Sequence, residues 1–307
     1  MAHINRMKFK RYGMRIIVGA FFLTCFPTVS SEPFYMSAPL PSPTLQADSG
    51  KIAALLAGAP RHQDGSPLSS PDQMIHFARQ FIGVPYVPKT LDKNKQEQLV
   101  VNLGQLDCTT YVETVTALTL CMKQKRYRFD NFRRNLQNLR YRNGSISYVS
   151  RLHYFTDWIH DNEQMGYVRE ITEPDSIFSA RQTLAINYMS THVSQYPMLI
   201  GITERVDSIR AVEQALTGLT VPYIPKNEIA NNESFWNTIH DGDILAIVTN
   251  KSGLDTSHIG IAVWHVDGLH LLNASQIRKK VVEEPMPLYN YMQRHPSQIG
   301  IRVIRVN

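Results

Sequence analysis

Apolar residues recur along the first half of the chain at the three- and four-residue spacing of helices buried on one side. The clearest run follows Asp107 and contains Tyr111, Val115, Leu118 and Met122. Its threonines and valines would also suit a strand, but a run of about 15 residues has the length of a helix, since strands span about 4 to 8. Asp107 is a favourable N-cap residue. The pattern therefore predicts a buried helix that begins directly after Asp107.

Three further helices are predicted before residue 170. A helix over 71–82 has Ser70 as its cap and Gly83 as its stop. The basic segment 123–142 is amphipathic and predicts a solvated helix, whereas 153–165 carries an aromatic stripe at helical spacing. Aromatic residues at such spacing usually belong to a core. The first half of the chain is thus predicted to be helical.

The period changes in the last third of the chain. Short runs rich in β-branched and aromatic residues are separated by Asn, Gly, Asp and Pro, which is typical of an antiparallel meander. These runs are 243–248, 257–266, 269–275 and 299–306. Because helices come first and strands follow, the pattern predicts one α+β domain over 71–307. The segment 174–230 mixes helical and strand signals, and no chemistry is assigned to it.

The first 31 residues have the parts of a secretory signal peptide: basic residues, then the apolar run 16–26, then small residues. The apolar run is too short for a permanent span, which needs about 20 residues. We therefore expect an exported, periplasmic protein that is cleaved after Ser30 or Ser31. A lipoprotein anchored through Cys25 is the alternative, but Thr24 is unfavourable before a lipidated cysteine. Residues 32–70 are rich in Pro and Ser and predict a linker or a draped arm.

Removal of this leader changes the charge of the chain. The sequence carries 32 Lys and Arg against 26 Asp and Glu, and its pI is about 9.2. Five of the basic residues and none of the acidic ones lie in 1–31, so the remaining chain has a formal charge near +1. The basic pI therefore reflects the leader, and it does not support a nucleic-acid partner.

Cysteine usage points to a reactive thiol. Exported proteins usually pair their thiols, yet only Cys108 and Cys121 remain after cleavage. On one helix they would lie roughly 20 Å apart at 1.5 Å per residue, too far for a disulfide. Cys108 would occupy the first helical position, where the helix dipole is expected to lower the thiol pKa from about 8.5 toward neutrality. Cys108 is the candidate nucleophile, and the alternative is an inert buried thiol.

A cysteine nucleophile needs a base, and His258 is the best candidate among 11 histidines. It opens the predicted strand 257–266. Branched residues occupy the odd positions of that strand, whereas Gly260 and Ala262 share the face of His258 with little bulk. We expect this face to leave space for the approach of a helix end.

The next strand offers His270 or Asn273 as the residue that orients the imidazole. If the hairpin turns at residues 267–268, Asn273 faces residue 262; if it turns one residue earlier, Asn273 faces residue 260. In both registers Asn273 shares the face of His258 and His270 does not. The earlier register or a bulge is needed to bring Asn273 close enough.

Several motifs together resemble the NlpC-type, papain-like cell-wall peptidases. They are Gly83-Val84-Pro85-Tyr86, Asp107-Cys108-Thr109-Thr110-Tyr111-Val112, Ser257-His258-Ile259-Gly260-Ile261-Ala262 and Asn273-Ala274-Ser275. Arg151-Leu152-His153-Tyr154, with Asp157-Trp158, further resembles the N-acetylmuramoyl-L-alanine amidase-like branch. Many members have a histidine in place of Asn273, and many have Ser-Gly in place of Thr109-Thr110.

The resemblance implies a papain-like fold, in which the cysteine helix packs on an antiparallel sheet. It implies Cys108 as nucleophile, His258 as base and Asn273 in the third polar position. It also places Tyr86 beside the nucleophile, and Asp107 and Ser257 near the reacting end of the substrate.

The expected activity is hydrolysis of the amide between N-acetylmuramic acid and L-alanine in peptidoglycan or muropeptides. Two alternatives stay open: cleavage between D-glutamate and the diamino acid of the stem peptide, and an exported wall-binding protein with a vestigial site. No cofactor or metal is expected, because the chain lacks an H-E-x-x-H helix, a C-x-x-C pair, a G-x-S-x-G elbow and a phosphate loop.

Overall fold

The computed structural model of the protein describes residues 43–174 and 176–307, and these lie in one unit that spans 41–307. The predicted signal peptide and Cys25 lie outside the described residues. The helices in the described part are α1 (Pro43–Ala57), α2 (Ser70–Arg79), α3 (Cys108–Lys123), α4 (Phe129–Arg140), α5 (Phe155–Gln164), α6 (Tyr188–Thr191), α7 (Thr203–Leu216), α8 (Glu233–Thr238) and α9 (Leu288–Gln293). None of them is long and apolar enough to cross a membrane.

The strands form an antiparallel sheet, as predicted. They are β1 (Val168–Ile171), β2 (Ala180–Thr183), β3 (Thr220–Pro225), β4 (Ile244–Thr249), β5 (Thr256–His265), β6 (Gly268–Ser275), β7 (Lys280–Glu283) and β8 (Gln298–Val306). Their order is β2-β3-β8-β4-β5-β6-β7, and β1 also pairs with β8. The mixed α+β class with an antiparallel sheet is therefore confirmed.

The last strand does not continue the predicted meander. The short strand β7 pairs with β6, and β8 lies between β3 and β4 instead. Because β7 already occupies the free edge of β6, the chain crosses back through α9 before it forms β8. The alternation of apolar residues predicted the strand β8 but not the strands with which it pairs.

Helices cover both faces of the central strands. Side chains of α2, α3 and α4 pack on one face, where Ile261 and Leu272 lie, and residues of α8 and α9 pack on the other, where Leu245 and Leu271 lie. All six residues of β4 are buried in consequence, so its sequence is apolar without alternation.

The segment predicted as a linker or arm contains a helix that belongs to the core. Ile52 and Leu56 of α1 are fully buried and pack with the α3 helix and its neighbours. The proline-rich beginning of the segment masked the apolar spacing of these residues. Similarly, α4 is shorter than the predicted 123–142 and buries Phe132, Leu136 and Leu139 rather than being fully solvated.

The remaining predicted helices occur with shifted ends. α2 ends at Arg79, earlier than predicted, and its cap is Ser69 rather than Ser70. α5 begins two residues after His153, which therefore lies in the preceding loop. α3 begins at Cys108, directly after Asp107, as the pattern predicts.

Candidate active site

Reciprocal hydrogen bonds fix the start of α3 and with it the position of Cys108. The carboxylate of Asp107 accepts from the backbone N–H of Thr110 at 2.8 Å, and the Thr110 hydroxyl accepts from the backbone N–H of Asp107 at 2.9 Å. This is a capping box with threonine in the place of the usual glutamate. It holds Cys108 at the first helical residue, with its side chain half-buried.

The surroundings of the thiol oppose the expected fall in its pKa. Burial raises the pKa of Cys108 to about 12, and the nearby carboxylate of Asp107 raises it further. The backbone N–H of Ile259 and the hydroxyl and N–H of Thr109 act in the opposite direction, but they do not offset burial. Cys108 is therefore a neutral thiol in the resting protein at pH 7, and it needs a base when it attacks.

His258 is held in one tautomer by Asn273. Its Nε2–H donates to Oδ1 of Asn273 at 2.9 Å, while the Asn273 amide N–H group donates to the carbonyls of Leu271 and Val282 at 3.3 and 3.4 Å. These donors fix which way the amide points. The arrangement leaves Nδ1 of His258 with its lone pair, and burial lowers the pKa of the imidazole below its usual 6.5. His258 is therefore a neutral base at pH 7.

The register of the β5–β6 hairpin explains how Asn273 reaches His258. Ile261 pairs with Leu272, and Val263 pairs with His270, which is the earlier of the two registers considered from the sequence. Continued by one residue, this register sets Gly260 opposite Asn273. A Cβ atom on Gly260 would lie 3.0 Å from Cβ of Asn273 and 2.7 Å from a methyl carbon of Leu271.

The small residue at 260 therefore makes room for a neighbouring strand and not for a helix end. α3 packs against the opposite face of β5, where Tyr111 and Val112 join the same core as Ile259 and Ile261. Cys108 and His258 approach one cavity at the beginning of the strand, where the N–H of Ile259 points at the thiol. No hydrogen bond joins these two described side chains, although both line one cavity.

That cavity has a volume of about 230 Å³ and is walled by segments far apart in the chain. Its lining consists of Cys108, Thr109, Leu152, His153, Tyr154, Phe155, Trp158, Met189, Tyr196, Leu254, Asp255, Thr256, Ser257, His258 and Ile259. The rings of Phe155 and Trp158 stack at 4.9 Å and give it an apolar wall. Met189 and Tyr196 come from the segment to which the sequence assigned no chemistry, and no motif marks them.

The residues predicted to bind substrate are divided by the structure. Ser257 lines the cavity, and its hydroxyl donates to the carbonyl of Ile247 at 3.4 Å. Tyr86 is half-buried, and the proximity of Cys108 and Asp107 adds to the effect of burial in raising the pKa of its phenol. Tyr86 and Asp107 lie beside the nucleophile but outside the cavity lining, and the Asp107 carboxylate is used by the helix cap.

A second histidine faces the cavity. Nε2–H of His153 donates to the carbonyl of Tyr148 at 2.8 Å, which leaves Nδ1 as an acceptor. Burial and the neighbouring Arg151 lower the pKa of His153 to about 3. His153 therefore stays neutral at any pH at which the protein would act. The sequence singled it out only as part of a motif.

Asp255 connects the cavity wall to the sheet. Its carboxylate accepts from the backbone N–H of Thr156 at 2.7 Å and from that of Thr256 at 2.7 Å. The first bond satisfies a free donor in the opening turn of α5, across a sequence separation of 99 residues. Asp255 thus positions the aromatic wall relative to the strand that carries His258.

A half-buried thiol at a helix start, a neutral imidazole with a fixed tautomer, and backbone donors near the sulfur can together support nucleophilic attack on a carbonyl. The mixed cavity wall can accept a substrate with apolar and polar parts. This chemistry is consistent with amide hydrolysis.

Solved structures with the same fold include one that is named an amidase. An N-acetylmuramoyl-L-alanine amidase from Bacteroides uniformis is 38% identical, with a TM-score of 0.73 over 78% of this chain and 99% of that one. A Bacteroides fragilis protein provisionally named a xylanase is also 38% identical, with a TM-score of 0.70 over 75% of this chain and 99% of that one. A Legionella pneumophila protein shares the fold at 22% identity, with a TM-score of 0.63 over 86% of this chain and 95% of that one.

A search of the curated proteins found no match. The family model described as AmiA-like, N-acetylmuramoyl-L-alanine amidase-like, matches residues 76–301. This range includes α3, the β5–β6 hairpin and every residue of the cavity. The chain therefore belongs to the AmiA-like family of N-acetylmuramoyl-L-alanine amidase-like proteins.

Proposed function

We propose that this protein is a cysteine amidase that hydrolyses the bond between the lactyl group of N-acetylmuramic acid and L-alanine. The observation that carries the proposal is the placement of Cys108 and His258 in one cavity, with Asn273 hydrogen-bonded to the imidazole. The family and the Bacteroides uniformis amidase support the choice of bond.

The first half of the reaction forms an acyl-enzyme. Nδ1 of His258 takes the proton of the Cys108 thiol as the sulfur attacks the lactyl carbonyl carbon. Backbone N–H groups at the start of α3 stabilise the oxyanion, at about 3 to 4 kcal/mol per donor in well-studied hydrolases. The tetrahedral intermediate collapses when the imidazolium gives its proton to the amine of L-alanine, which leaves as the free peptide.

The second half releases the sugar. His258 takes a proton from water, which attacks the thioester carbon, and the proton returns to the sulfur of Cys108 as the thiol leaves. The products are a muramic acid with a free lactyl carboxylate and a peptide with a free L-alanine amine. Each proton moves through the same nitrogen, so one fixed tautomer serves both halves.

Product analysis tests the bond that is cut. Digestion of a purified disaccharide-tetrapeptide, followed by mass spectrometry, should yield the free disaccharide and the intact tetrapeptide. A dipeptide still attached to the sugar would instead show cleavage between D-glutamate and the diamino acid. That result would support the stem-peptide alternative and overturn the proposed bond.

The cavity of this protein does not support a xylanase activity, the activity in the name of the Bacteroides fragilis structure. Glycosidases use two carboxyl groups on either side of the bond that breaks. Among the described residues that line the cavity, Asp255 supplies the single carboxylate, and both of its oxygens accept backbone hydrogen bonds. Amide hydrolysis through Cys108 fits the residues better.

A wall-binding protein with a vestigial site is the rival from another class. Labelling with a cysteine-directed electrophile separates the two, because a catalytic Cys108 should react more slowly once His258→Ala removes its base. Cys121 is not a suitable comparison, since it is fully buried and burial raises its thiol pKa to about 12 as well. An unchanged labelling rate of Cys108 in the folded His258→Ala protein would favour the binding module.

Export to the periplasm and a papain-like ancestry belong to the same proposal. The basic and apolar pattern of residues 1–31 supports cleavage near Ser31, and the motifs around Cys108 and His258 support the NlpC-type assignment. Mass spectrometry of the extracytoplasmic protein should find a new N-terminus at Ser31 or Glu32. A lipid-modified Cys25 at the N-terminus would show a membrane anchor instead.

A further inference from the structure

The β5–β6 hairpin carries a second group of chemically active side chains at the end remote from His258. His265, Asp267 and His270 each offer a ligating atom there, and these atoms lie within 4.8 Å of one another. His265 is seven residues along the strand from His258, which corresponds to about 23 Å at 3.3 Å per residue. The group is therefore separate from the cavity that holds Cys108.

The hydrogen bonds of His270 leave one ring nitrogen available as a ligand. Nδ1 of His270 lies 2.7 Å from the carbonyl of Glu284, and since a carbonyl can only accept, this nitrogen carries a proton. Nε2 lies 2.9 Å from a carboxylate oxygen of Asp267. The His270 ring is buried, whereas the Asp267 side chain is 54% exposed, so the two atoms meet at the protein surface. Nε2 of His270 and this carboxylate oxygen can therefore serve as two ligands of one ion.

His265 has the outer partners of a metal ligand. Its Nε2 contacts the carboxylate of Glu283 at 2.5 Å, and Arg79 donates two hydrogen bonds to the same carboxylate at 3.1 and 3.3 Å. Metal-binding histidines commonly donate their other ring nitrogen to a carboxylate, which fixes the ring and makes it a stronger ligand. Nδ1 of His265 has no hydrogen bond among the described residues, and it is therefore free to ligate. The rings of His265 and His270 lie 4.2 Å apart, as two ligands of one ion can.

We propose that His265, Asp267 and His270 bind a divalent transition metal of the zinc type, with water in the fourth position. Two imidazoles and one carboxylate are a common zinc ligand set, with bonds of about 2.0 to 2.2 Å. One pair of these atoms lies 2.9 Å apart and all of them lie within 4.8 Å of one another, so side-chain rotations would bring them to the roughly 3.4 Å that tetrahedral bonds of that length require. The ion would join β5 to β6 at their turn, and it takes no part in the chemistry at Cys108.

Zinc titration calorimetry on the mature, full-length protein tests the site. The Cys108→Ala background is used in parallel, so that zinc held by the catalytic thiol is not counted. We expect one bound ion in both proteins and a higher melting temperature in its presence. Asp267→Asn and His265→Phe change exposed residues and should fold normally, but each should weaken zinc binding by at least about tenfold, and Glu283→Gln by about 10 to 100-fold.

His62→Phe is the matched control, because it removes another exposed histidine and should leave zinc affinity unchanged. Absence of saturable binding in the unaltered protein would overturn the proposal. Binding that persists in both Asp267→Asn and His265→Phe would also overturn it. The Cys108→Ala protein is expected to lose turnover and still bind zinc. The zinc test is therefore independent of the proposed amidase activity.

Discussion

The two ends of β5 show two ways in which one hairpin can use a pair of polar residues. At its beginning, His258 faces the amide of Asn273 and lies half-buried beside a cavity. At its far end, His265 faces a carboxylate and lies near His270, whose Nε2 faces the carboxylate of Asp267. The backbone of the two strands is the same, so the difference lies in the partners.

An amide oxygen orients an imidazole without holding a full positive charge on it. His258 therefore keeps a lowered pKa and a lone pair, which is what a base needs at neutral pH. Carboxylates favour a cation on the ring or between ring and carboxylate. The beginning of β5 is therefore suited to proton transfer and its far end to the proposed binding of a cation. Substitutions can test each of these two roles.

The largest effect is expected at the nucleophile. Cys108→Ala should reduce muropeptide hydrolysis to background, since the nucleophile of a related hydrolase class contributes on the order of 10⁶-fold. Chromatography of the products measures turnover, and circular dichroism shows whether the fold persists. Cys121→Ala is the control, because its thiol contacts Asn135 in the core and not the cavity.

Substantial turnover by the Cys108→Ala protein would end the assignment of the nucleophile. An equal loss of turnover in folded Cys121→Ala would show that Cys108 had been wrongly chosen as the nucleophile.

The next effect is expected at the residue that orients the base. Asn273→Ala removes the acceptor of the His258 Nε2–H bond, so we expect turnover to fall by about 10 to 100-fold, the range seen when an outer partner of a metal-bound histidine is lost. Asn273→His should retain part of the activity, because many proteins with similar motifs have histidine there. If Asn273→Ala turns over normally, another residue fixes the imidazole.

Much of this arrangement could be predicted from the sequence, because it depends on local rules. Asp107 is a capping residue followed by helical spacing, and α3 begins where that pattern requires. Alternation along β6 placed Asn273 on the face of His258 in either register, and the structure joins the two. These predictions needed only the period of each element.

The parts that were wrong depend on distant segments. The pKa of Cys108 is decided by burial under other elements, which outweighs the local helix dipole. Gly260 makes room for Leu271 and Asn273, a contact that only the strand pairing defines. Met189 enters the cavity from a segment with mixed signals, and nothing in its own neighbourhood indicates a site.

Replacing the amide by a carboxylate should make the first end behave like the second. Asn273→Asp would stabilise the imidazolium of His258 and raise its pKa, by about 1 to 3 units for a close opposite charge. Activity requires the neutral imidazole and falls when it is protonated, so the acid limb of kcat/KM should lie below pH 6.5 in the unaltered protein. In the variant the limb should move to higher pH, as measured between pH 4 and 9. An unchanged limb would mean that His258 is not the base.

The smallest effect on turnover is expected from His270→Ala. His270 pairs with Val263, and its ring bonds to Glu284 and Asp267 on the far side of the hairpin from the reaction. We expect kcat/KM of the folded protein to change by less than about twofold, although the melting temperature should fall because a buried side chain is lost. Val263→Ala, which truncates the cross-strand partner, is a control for that loss of packing. A large fall in kcat with a normal melting temperature would connect the two ends of β5, and the separation of their roles would then be wrong.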